Sequence, residues 1–289
     1  MLKKGLLPEH GKIMMFATSG GGILVEQYLE KYGHNVTRAL IESSCGVDVA
    51  RKHGRTIFSV LTDRFKSENT ELYRKLEQIV ENGRVNRKLF TYMIQRPPFF
   101  NLAGESVSID LINEVAAGRL WKYRRNLLKP PQNFYFVDYM CHLPVSIATR
   151  VRIYEVFSED LFTYWQGSFS TINLMYEWAQ NMVSDFLEAQ KQGLIQPFKL
   201  DLSASRKKYG GEFMIMYGDK EHTISWEVAK ITASEYPESA FALFHEVHLM
   251  EEPANVDLYR SLRRTFFQEG LNSQKFRDLM NDSRQLNKD

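Results

Sequence analysis

The chain has 289 residues, of which 44% are hydrophobic and 25% charged, a composition typical of a soluble globular protein with a sizeable core. Its formal net charge of +2 gives no electrostatic reason to expect nucleic acid or a membrane surface as partner, and the basic runs 206–208 and 263–264 are interpreted as solvated surface. The two cysteines, Cys45 and Cys141, offer neither a disulfide framework nor metal-ligand spacing and are interpreted as buried. Without a signal peptide or membrane span in the sequence, a cytoplasmic location is expected.

The first part of the chain is predicted to form a strand, a tight turn, a helix and a second strand. The apolar run 13–17 is followed by Thr18-Ser19-Gly20-Gly21-Gly22, and apolar residues then recur at helical spacing up to Gly33. Residues 36–41 form the second apolar run. A strand–helix–strand unit of this kind predicts a parallel sheet.

The middle of the chain, from about residue 50 to 208, is predicted to be almost entirely helical. Its clearest helical segments are 70–81, 107–117, 145–157 and 171–190. After Gly210-Gly211 the α/β pattern returns, with strands predicted at 213–217 and 240–244 and helices at 226–235 and 256–267. A helical block is therefore inserted between two parts of one α/β sheet.

The strongest chemical feature is the turn around Ser19. Ala17 two residues before and Gly21 two residues after form the small-x-Ser-x-small pattern of a nucleophile elbow, where larger side chains would collide with the neighbouring strand and helix. The pattern predicts an exposed serine hydroxyl at the carboxyl edge of the sheet, beside a helix N-terminus that favours negative charge. The alternatives are a plain glycine turn and the phosphate-binding loop of a nucleotide-binding protein.

Two further polar turns follow predicted strands near the end of the chain. The strand 213–217 runs into Gly218-Asp219-Lys220-Glu221, and His248 comes after the next strand. Because the carboxyl ends of parallel strands share one edge of a sheet, the order serine, acid, histidine predicts that the three groups meet there. A histidine can accept the serine proton, and an acid can hold the tautomer of that histidine.

These segments resemble the α/β-hydrolase superfamily, particularly lidded members such as proline iminopeptidases and related esterases. The resemblance covers residues 12–45 and 212–267, and the helical middle corresponds only in position, where the family places its lid. It implies a partial α/β-hydrolase parallel sheet with a large all-helical lid inserted between core strands. The implied domains are 1–49 with the nucleophile elbow, 50–209 as the lid, and 210–289 with the acid and the histidine.

The resemblance implies roles for four residues. Ser19 is the nucleophile, His248 the general base and acid, Glu221 the orienting acid, and the Gly20 N–H an oxyanion donor. The implied reaction is hydrolysis of an ester or amide of a small, largely apolar substrate through an acyl-serine intermediate. No metal or organic cofactor is implied.

The acid and the histidine each have an alternative. A glycine stands three residues before the acid in the family pattern, which maps from Gly218 onto Glu221 and leaves Asp219 as the second candidate. The family usually has aspartate there, and glutamate is one methylene longer. The family's histidine usually follows a glycine, whereas Val247 precedes His248, so His245 also stays a candidate.

The family's N-terminal strands and its oxyanion loop usually precede the elbow, whereas 18 residues precede Ser19 here. The strand 13–17 is therefore expected at an uncovered apolar sheet edge. Three explanations stay open. The chain is truncated; a partner, which is a second copy or another chain, completes the sheet; or the protein is a non-catalytic binding or assembly module. A weakly active, association-prone chain is expected if nothing covers that edge.

The helical middle gives a weaker clue about the substrate. It is rich in aromatic residues, which are expected either to line an apolar pocket or to pack the helices together. These residues are Phe99, Phe100, Trp121, Tyr123, Phe134, Tyr135, Phe136, Tyr139, Tyr164, Trp165, Tyr176 and Trp178. Four acids could hold a substrate amine in an aminopeptidase, namely Glu155, Glu159, Asp160 and Glu177.

Overall fold

The computed structural model describes residues 12–55, 60–128, 147–167, 172–197, 199–248, 250 and 255–286. The chain divides into two compact units, which we call the sheet unit and the helical unit. The sheet unit consists of Met1–Arg55 and Asp201–Asp289, and the helical unit of Thr56–Leu200. The expected boundaries at 49/50 and 209/210 therefore differ from those of the compact units, because residues 50–55 and 201–209 belong with the sheet.

The sheet unit opens with two strands and two helices: β1 (Ile13–Thr18), α1 (Gly20–Tyr32), β2 (Val36–Glu42) and α2 (Val47–Lys52). The helical unit then contains α3 (Val60–Glu68), α4 (Thr70–Glu81), α5 (Arg87–Gln95), α6 (Gly104–Ala116), α7 (Leu120–Leu128), α8 (Ile147–Trp165), α9 (Leu174–Met182) and α10 (Ser184–Lys191). The chain returns to the sheet unit with α11 (Ser203–Lys208), β3 (Glu212–Gly218), α12 (Trp226–Ser234), β4 (Ser239–Phe244), α13 (Val256–Glu269) and α14 (Gln274–Leu286).

The four described strands form one parallel sheet in the order β1-β2-β3-β4. Ala17 pairs with Ile41, and Ile41 in turn pairs with Ile215, so the carboxyl ends of the strands line up at one edge. The parallel sheet predicted from the strand–helix–strand pattern is confirmed. Because β2 and β3 are neighbours in space, the helical unit is an insertion between adjacent strands.

Helices cover the sheet because its strands are apolar on both faces, as expected for a parallel sheet. Side chains alternate between the faces along each strand. On one face, Leu40, Met214 and Met216 pack in a cluster with Leu262 and Phe266 of α13, to which α14 also contributes. On the other face, α1 contacts β1 and β2, and α12 contacts β3 and β4.

The helical unit has a hydrophobic core of its own. Buried residues from α3 to α7 and from α9 form one cluster, which includes Leu76, Phe90, Ile112 and Leu174. The predicted helix 171–190 is two helices, because Val183 leaves the helical conformation with a φ of −126° and a ψ of 19°. No helix within the described ranges is long and apolar enough to cross a membrane.

Arg206 is buried, so the interpretation of residues 206–208 as solvated surface is wrong for this residue. Its side chain is 1% exposed, and it donates from Nε to Glu26 at 2.7 Å and from Nη2 to Asp48 at 2.7 Å. Nη1 also donates to Glu235 at 2.8 Å. A buried charge is tolerated when it is paired in this way, and removing one partner of such a pair typically costs about 3–5 kcal/mol.

The ion pairs of Arg206 also explain why the first residues after the helical unit belong with the sheet. Arg206 lies on α11, Glu26 lies on α1, and Asp48 lies on α2. The Asp48 carboxylate additionally accepts the Leu202 N–H at 2.9 Å. The returning chain is therefore attached to the sheet unit before β3 begins.

The strand β1 lies at one edge of the described sheet and carries exposed apolar side chains. Among the described residues it pairs with β2 alone. Met14 is 51% and Phe16 45% exposed, although the Arg263 guanidinium lies 5.0 Å from the Phe16 ring centroid. An apolar edge strand of this kind is a template for pairing with another chain.

We therefore expect the purified chain to self-associate through β1, and the double substitution Met14→Lys and Phe16→Lys to suppress that association. Lysines on an edge strand oppose pairing because the bound state would bury or crowd their charges. Sedimentation velocity over a range of concentrations measures the effect. Leu24→Lys is the matched control, since Leu24 is 49% exposed but lies on a helix, and a wild-type chain that stays monomeric would contradict the prediction.

Candidate active site

The chain passes from β1 into α1 through Ser19, which has a strained backbone. Its φ of 52° and ψ of −135° lie in a region that residues with a side chain rarely adopt. The Ser19 N–H donates to the Glu42 carbonyl at 2.8 Å, which attaches the turn to the end of β2. A Cβ on Gly21 would lie 3.2 Å from the Cβ of Ala17, so a side chain at position 21 would crowd the end of β1, as the elbow pattern predicts.

Gly22 has a packing role that the sequence pattern did not reveal. A Cβ at this position would overlap the Ser44 side chain and lie 3.3 Å from the Cβ of Ile41. Glycine therefore allows the first turn of α1 to lie directly against the end of β2. This close approach sets the direction of the helix N-terminus beside Ser19.

The structure brings Ser19, His248 and Glu221 together at the carboxyl edge of the sheet. His248 Nε2 lies 2.9 Å from Ser19 Oγ, and His248 Nδ1 lies 2.6 Å from Glu221 Oε2. These contacts form a continuous hydrogen-bond chain from the hydroxyl through the imidazole to the carboxylate. In that chain Nδ1 carries the proton, which leaves Nε2 able to accept the serine proton.

Glu221 is a buried carboxylate with several donors around it. Its Oε1 accepts the N–H groups of His222 and Thr223, both at 2.9 Å. Burial alone would raise the pKa of Glu221, but the charge and hydrogen bond of His248 lower it to about 2, with smaller contributions from His222 and the Thr223 N–H. The side chain is therefore ionised at neutral pH, as a partner for an imidazolium must be.

The two alternative residues, Asp219 and His245, contact each other instead of joining the chain from Ser19. His245 Nδ1 lies 3.0 Å from Asp219 Oδ2, and Asp219 Oδ1 accepts the Glu246 N–H at 3.2 Å. The His245 side chain is 53% exposed. Asp219 therefore supports the loop that follows β4, and Glu221 is the acid in contact with His248.

Two glycines shape the surroundings of these side chains. A Cβ on Gly218 would overlap the backbone carbonyls of Glu246 and Val247, so glycine lets the turn after β3 lie against the loop after β4.

Gly20 is the first residue of α1, and the N–H of a first helical residue has no acceptor within its own helix. That N–H lies next to Ser19 in the chain and at the positive end of the helix dipole.

Glu42 is a titratable residue of this edge that the sequence did not single out. Its side chain is buried at the end of β2, where Tyr259 donates to Oε1 at 2.7 Å and Arg263 lies 3.8 Å away. Burial raises the pKa of Glu42 to about 7, despite the opposing effects of Tyr259 and Arg263. No sequence signal marks it, because these partners lie more than 200 residues further along the chain.

Several of the aromatic and acidic candidates of the helical unit are engaged in its internal packing. Phe99, Tyr123 and Tyr176 are buried, whereas Trp121 is 54% exposed. The side chains of Phe134, Tyr135, Phe136, Tyr139 and Trp178 lie outside the described residues, as does Cys141. Of the two roles expected for the aromatic residues, the structure shows packing between helices for Phe99, Tyr123 and Tyr176.

Glu177 is the most strongly engaged of the four acids. It is buried and accepts two hydrogen bonds from the Arg87 guanidinium, at 2.8 and 2.5 Å, and one from the Tyr164 hydroxyl. The Tyr176 hydroxyl donates to Asp160 at 3.4 Å, and Glu159 lies 3.8 Å from Lys199. No cluster of three or more His, Cys, Asp or Glu side chains suited to a metal ion occurs in the described ranges.

The fold and the site together define a parallel α/β protein with a serine, a histidine and a glutamate in hydrogen-bond contact at the carboxyl edge of its sheet. No protein-family model and no curated protein matches the sequence. Solved structures of α/β-hydrolases are similar to this chain, but at low identity.

One similar structure is a serine hydrolase from the polyaromatic-hydrocarbon-degrading bacterium Cycloclasticus zankles, at 12% identity and a TM-score of 0.41, over 93% of this chain and 67% of that one. A second is an α/β-hydrolase enzyme from a Medee basin deep-sea metagenome library, at 12% identity and a TM-score of 0.42, over 94% and 72%. A third is a bromoperoxidase from Bacillus anthracis, at 14% identity and a TM-score of 0.38, over 92% and 70%. Likeness of this degree does not transfer an activity.

The raised pKa of Glu42 predicts a pH-dependent stability. Because the folded-state pKa lies above the ordinary value of 4.5, the contribution of Glu42 to folding is fully present below that value and is lost as the pH rises through about 7. Glu42→Gln keeps an acceptor for Tyr259 but cannot ionise. We expect it to raise the free energy of unfolding by about 1–3 kcal/mol at about pH 8 and to have little effect at about pH 5.

Urea unfolding at the two pH values measures this difference. The control is Glu238→Gln, the same substitution at an exposed glutamate, whose effect on the free energy of unfolding at each pH is the reference for Glu42→Gln. A Glu42→Gln effect of the same size at both pH values would show that the Glu42 carboxyl does not titrate in this range.

Proposed function

We propose that the chain is a serine hydrolase that cleaves an ester or an amide through an acyl-serine intermediate. The observation that carries the proposal is the unbroken chain of contacts from Ser19 Oγ through the His248 imidazole to Glu221, at 2.9 and 2.6 Å. The strained turn at Ser19 supports it, because strain of this kind is retained where the surrounding structure requires it and is common at active sites. The buried and ionised carboxylate of Glu221 supports the proposal as well.

In the proposed mechanism, Ser19 Oγ attacks the carbonyl carbon while His248 Nε2 accepts the hydroxyl proton. Glu221 stays a carboxylate and stabilises the imidazolium across the Nδ1 contact. The Gly20 N–H donates to the oxygen of the tetrahedral intermediate. His248 then gives the proton to the leaving group, and a water molecule activated by the same imidazole releases the acid product from Ser19.

The proposal includes a substrate class. We propose a small, largely apolar ester or amide as the substrate, the class that the resemblance of the sequence implies. Aminopeptidase activity is a second form of the same chemistry, and Glu177 is not assigned to it because its carboxylate already accepts hydrogen bonds from Arg87 and Tyr164. No role for a metal or an organic cofactor is proposed.

A non-catalytic binding or assembly module is the second candidate. The exposed edge of β1 favours it, because that edge offers backbone groups and the side chains of Met14 and Phe16 to another chain.

If the chain is the proposed hydrolase, its oxyanion hole has one assigned donor among the described residues, the Gly20 N–H. Absence of one donor typically costs about 10²–10³ in rate, so we propose that a second copy or another chain at this edge raises the turnover.

A fluorophosphonate probe tests the proposed nucleophile directly. We expect covalent labelling on the peptide that contains Ser19, detected by mass spectrometry, because His248 makes the hydroxyl reactive. Ser19→Ala and His248→Ala should abolish labelling, whereas Ser234→Ala should not, since Ser234 is an exposed serine at the end of α12. An unlabelled chain that is thermally stabilised by a nucleotide would favour a nucleotide-binding protein instead.

The two acids of the turn after β3 provide the second test. Glu221→Gln should lower kcat/KM for a generic aryl ester by about 10⁴, because the amide no longer selects the correct imidazole tautomer or stabilises the imidazolium. Asp219→Asn should change it only a few-fold, because Asp219 contacts His245 and not His248. Steady-state hydrolysis measures both variants, and the opposite ranking would reassign the acid to Asp219.

A further inference from the structure

Three residues other than glycine have a positive φ in the described part of the chain, and all three lie at the carboxyl edge of the sheet or in the loop after β4. They are Ser19 at 52°, Ser43 at 46° and Met250 at 51°. Each such conformation costs about 1–3 kcal/mol and persists only where the surroundings hold it. The nucleophile turn explains Ser19, but it does not explain Ser43.

Ser43 directly follows β2 and is 5% exposed. Its N–H donates to the Met216 carbonyl at 3.0 Å and so holds the residue against β3. Extended backbone would continue the side-chain alternation of β2, whereas the left-handed φ breaks that alternation. The Ser43 hydroxyl donates to the main-chain carbonyl of His248 at 2.6 Å.

The His248 carbonyl matters because the imidazole must satisfy two partners at once. Nδ1 contacts Glu221 and Nε2 contacts Ser19, and two side-chain torsions connect the ring to the backbone. The ring nitrogens are therefore placed largely by the main chain of His248. Displacement of a reacting group by about 1 Å can cost about a hundredfold in rate.

The end of β2 is attached to both reacting side chains. The Glu42 carbonyl accepts the Ser19 N–H, and the Ser43 hydroxyl, one residue later, donates to the His248 carbonyl. The nucleophile turn and the histidine loop thus share one support. A shift at this point would change the Ser19–His248 distance from both sides.

We propose that Ser43 is a positioning residue for His248: its hydroxyl, aimed by the left-handed backbone, holds the histidine main chain so that the imidazole reaches Ser19 and Glu221 together. Ser43 acts through His248 and not on the substrate. This inference rests on the proposed hydrolase function, but the geometry of His248 can be measured without turnover.

Two substitutions separate the hydroxyl from the backbone strain. Ser43→Ala removes the hydroxyl and keeps the strain, whereas Ser43→Gly removes the hydroxyl and adopts a positive φ at little cost. We expect both variants to lower kcat for a generic aryl ester about tenfold to a hundredfold, with KM unchanged, because the lost contact orients the base and does not bind substrate.

Ser108→Ala is the matched control. Ser108 is fully buried, and its hydroxyl donates to the Ile94 carbonyl at 2.6 Å, the same kind of bond at the same distance, within the helical unit. It should lower the free energy of unfolding as much as Ser43→Ala does. It should leave kcat at the wild-type value.

The nitrogen NMR shifts of the His248 imidazole give the readout that does not depend on activity, because they report which ring nitrogen carries the proton. Both Ser43 variants should shift these resonances, and Ser108→Ala should not. Wild-type kcat in Ser43→Gly, or unchanged His248 shifts in both Ser43 variants, would overturn the proposal. If the wild-type chain neither labels nor hydrolyses the ester, the hydrolase proposal fails, while the His248 shifts still decide the role of Ser43.

Discussion

The turn at Ser19 is the constraint on which the candidate site depends. A residue with a side chain is held there at a φ of 52°, and its N–H donates to the carbonyl of Glu42 at the end of β2. Gly21 and Gly22 favour this geometry by letting α1 lie close to β1 and β2, where a Cβ would crowd Ala17 or overlap Ser44. The strain is compensated by the packing of α1, so the first helix and the position of the hydroxyl form one structural unit.

The second requirement is a buried carboxylate that stays ionised. Desolvation opposes the charge of Glu221, and it is outweighed chiefly by His248, with smaller contributions from His222 and the Thr223 N–H in the turn after β3. Glu42 is buried at the same edge, where Tyr259 and Arg263 do not outweigh desolvation, and its pKa is raised to about 7 instead. The comparison shows that the partners of a buried carboxylate, chiefly the charge and hydrogen bond of His248 for Glu221, decide whether it stays ionised despite desolvation.

The long helical insertion requires that the chain return to the sheet at the correct place. Between β2 and β3 the chain leaves for about half of its length and must return in register. Arg206 fixes the returning segment, because its ion pairs with Glu26 and Asp48 attach α11 to α1 and α2. A buried ion pair is weak evidence for stability, but its geometry specifies how the segments fit together.

The sequence by itself determined the four strands and the helices α1, α12 and α13 of the sheet unit, the parallel sheet, and the order of Ser19, Glu221 and His248 at strand ends, because side-chain periodicity and glycine turns are local signals. It placed one helix where Val183 separates α9 and α10. Only the tertiary structure decided that Arg206 is buried, that Asp219 contacts His245, and that the Ser43 hydroxyl donates to the His248 carbonyl. Most of these contacts join residues far apart in the chain, and burial and hydrogen-bond partners across such distances leave no periodic trace in a sequence.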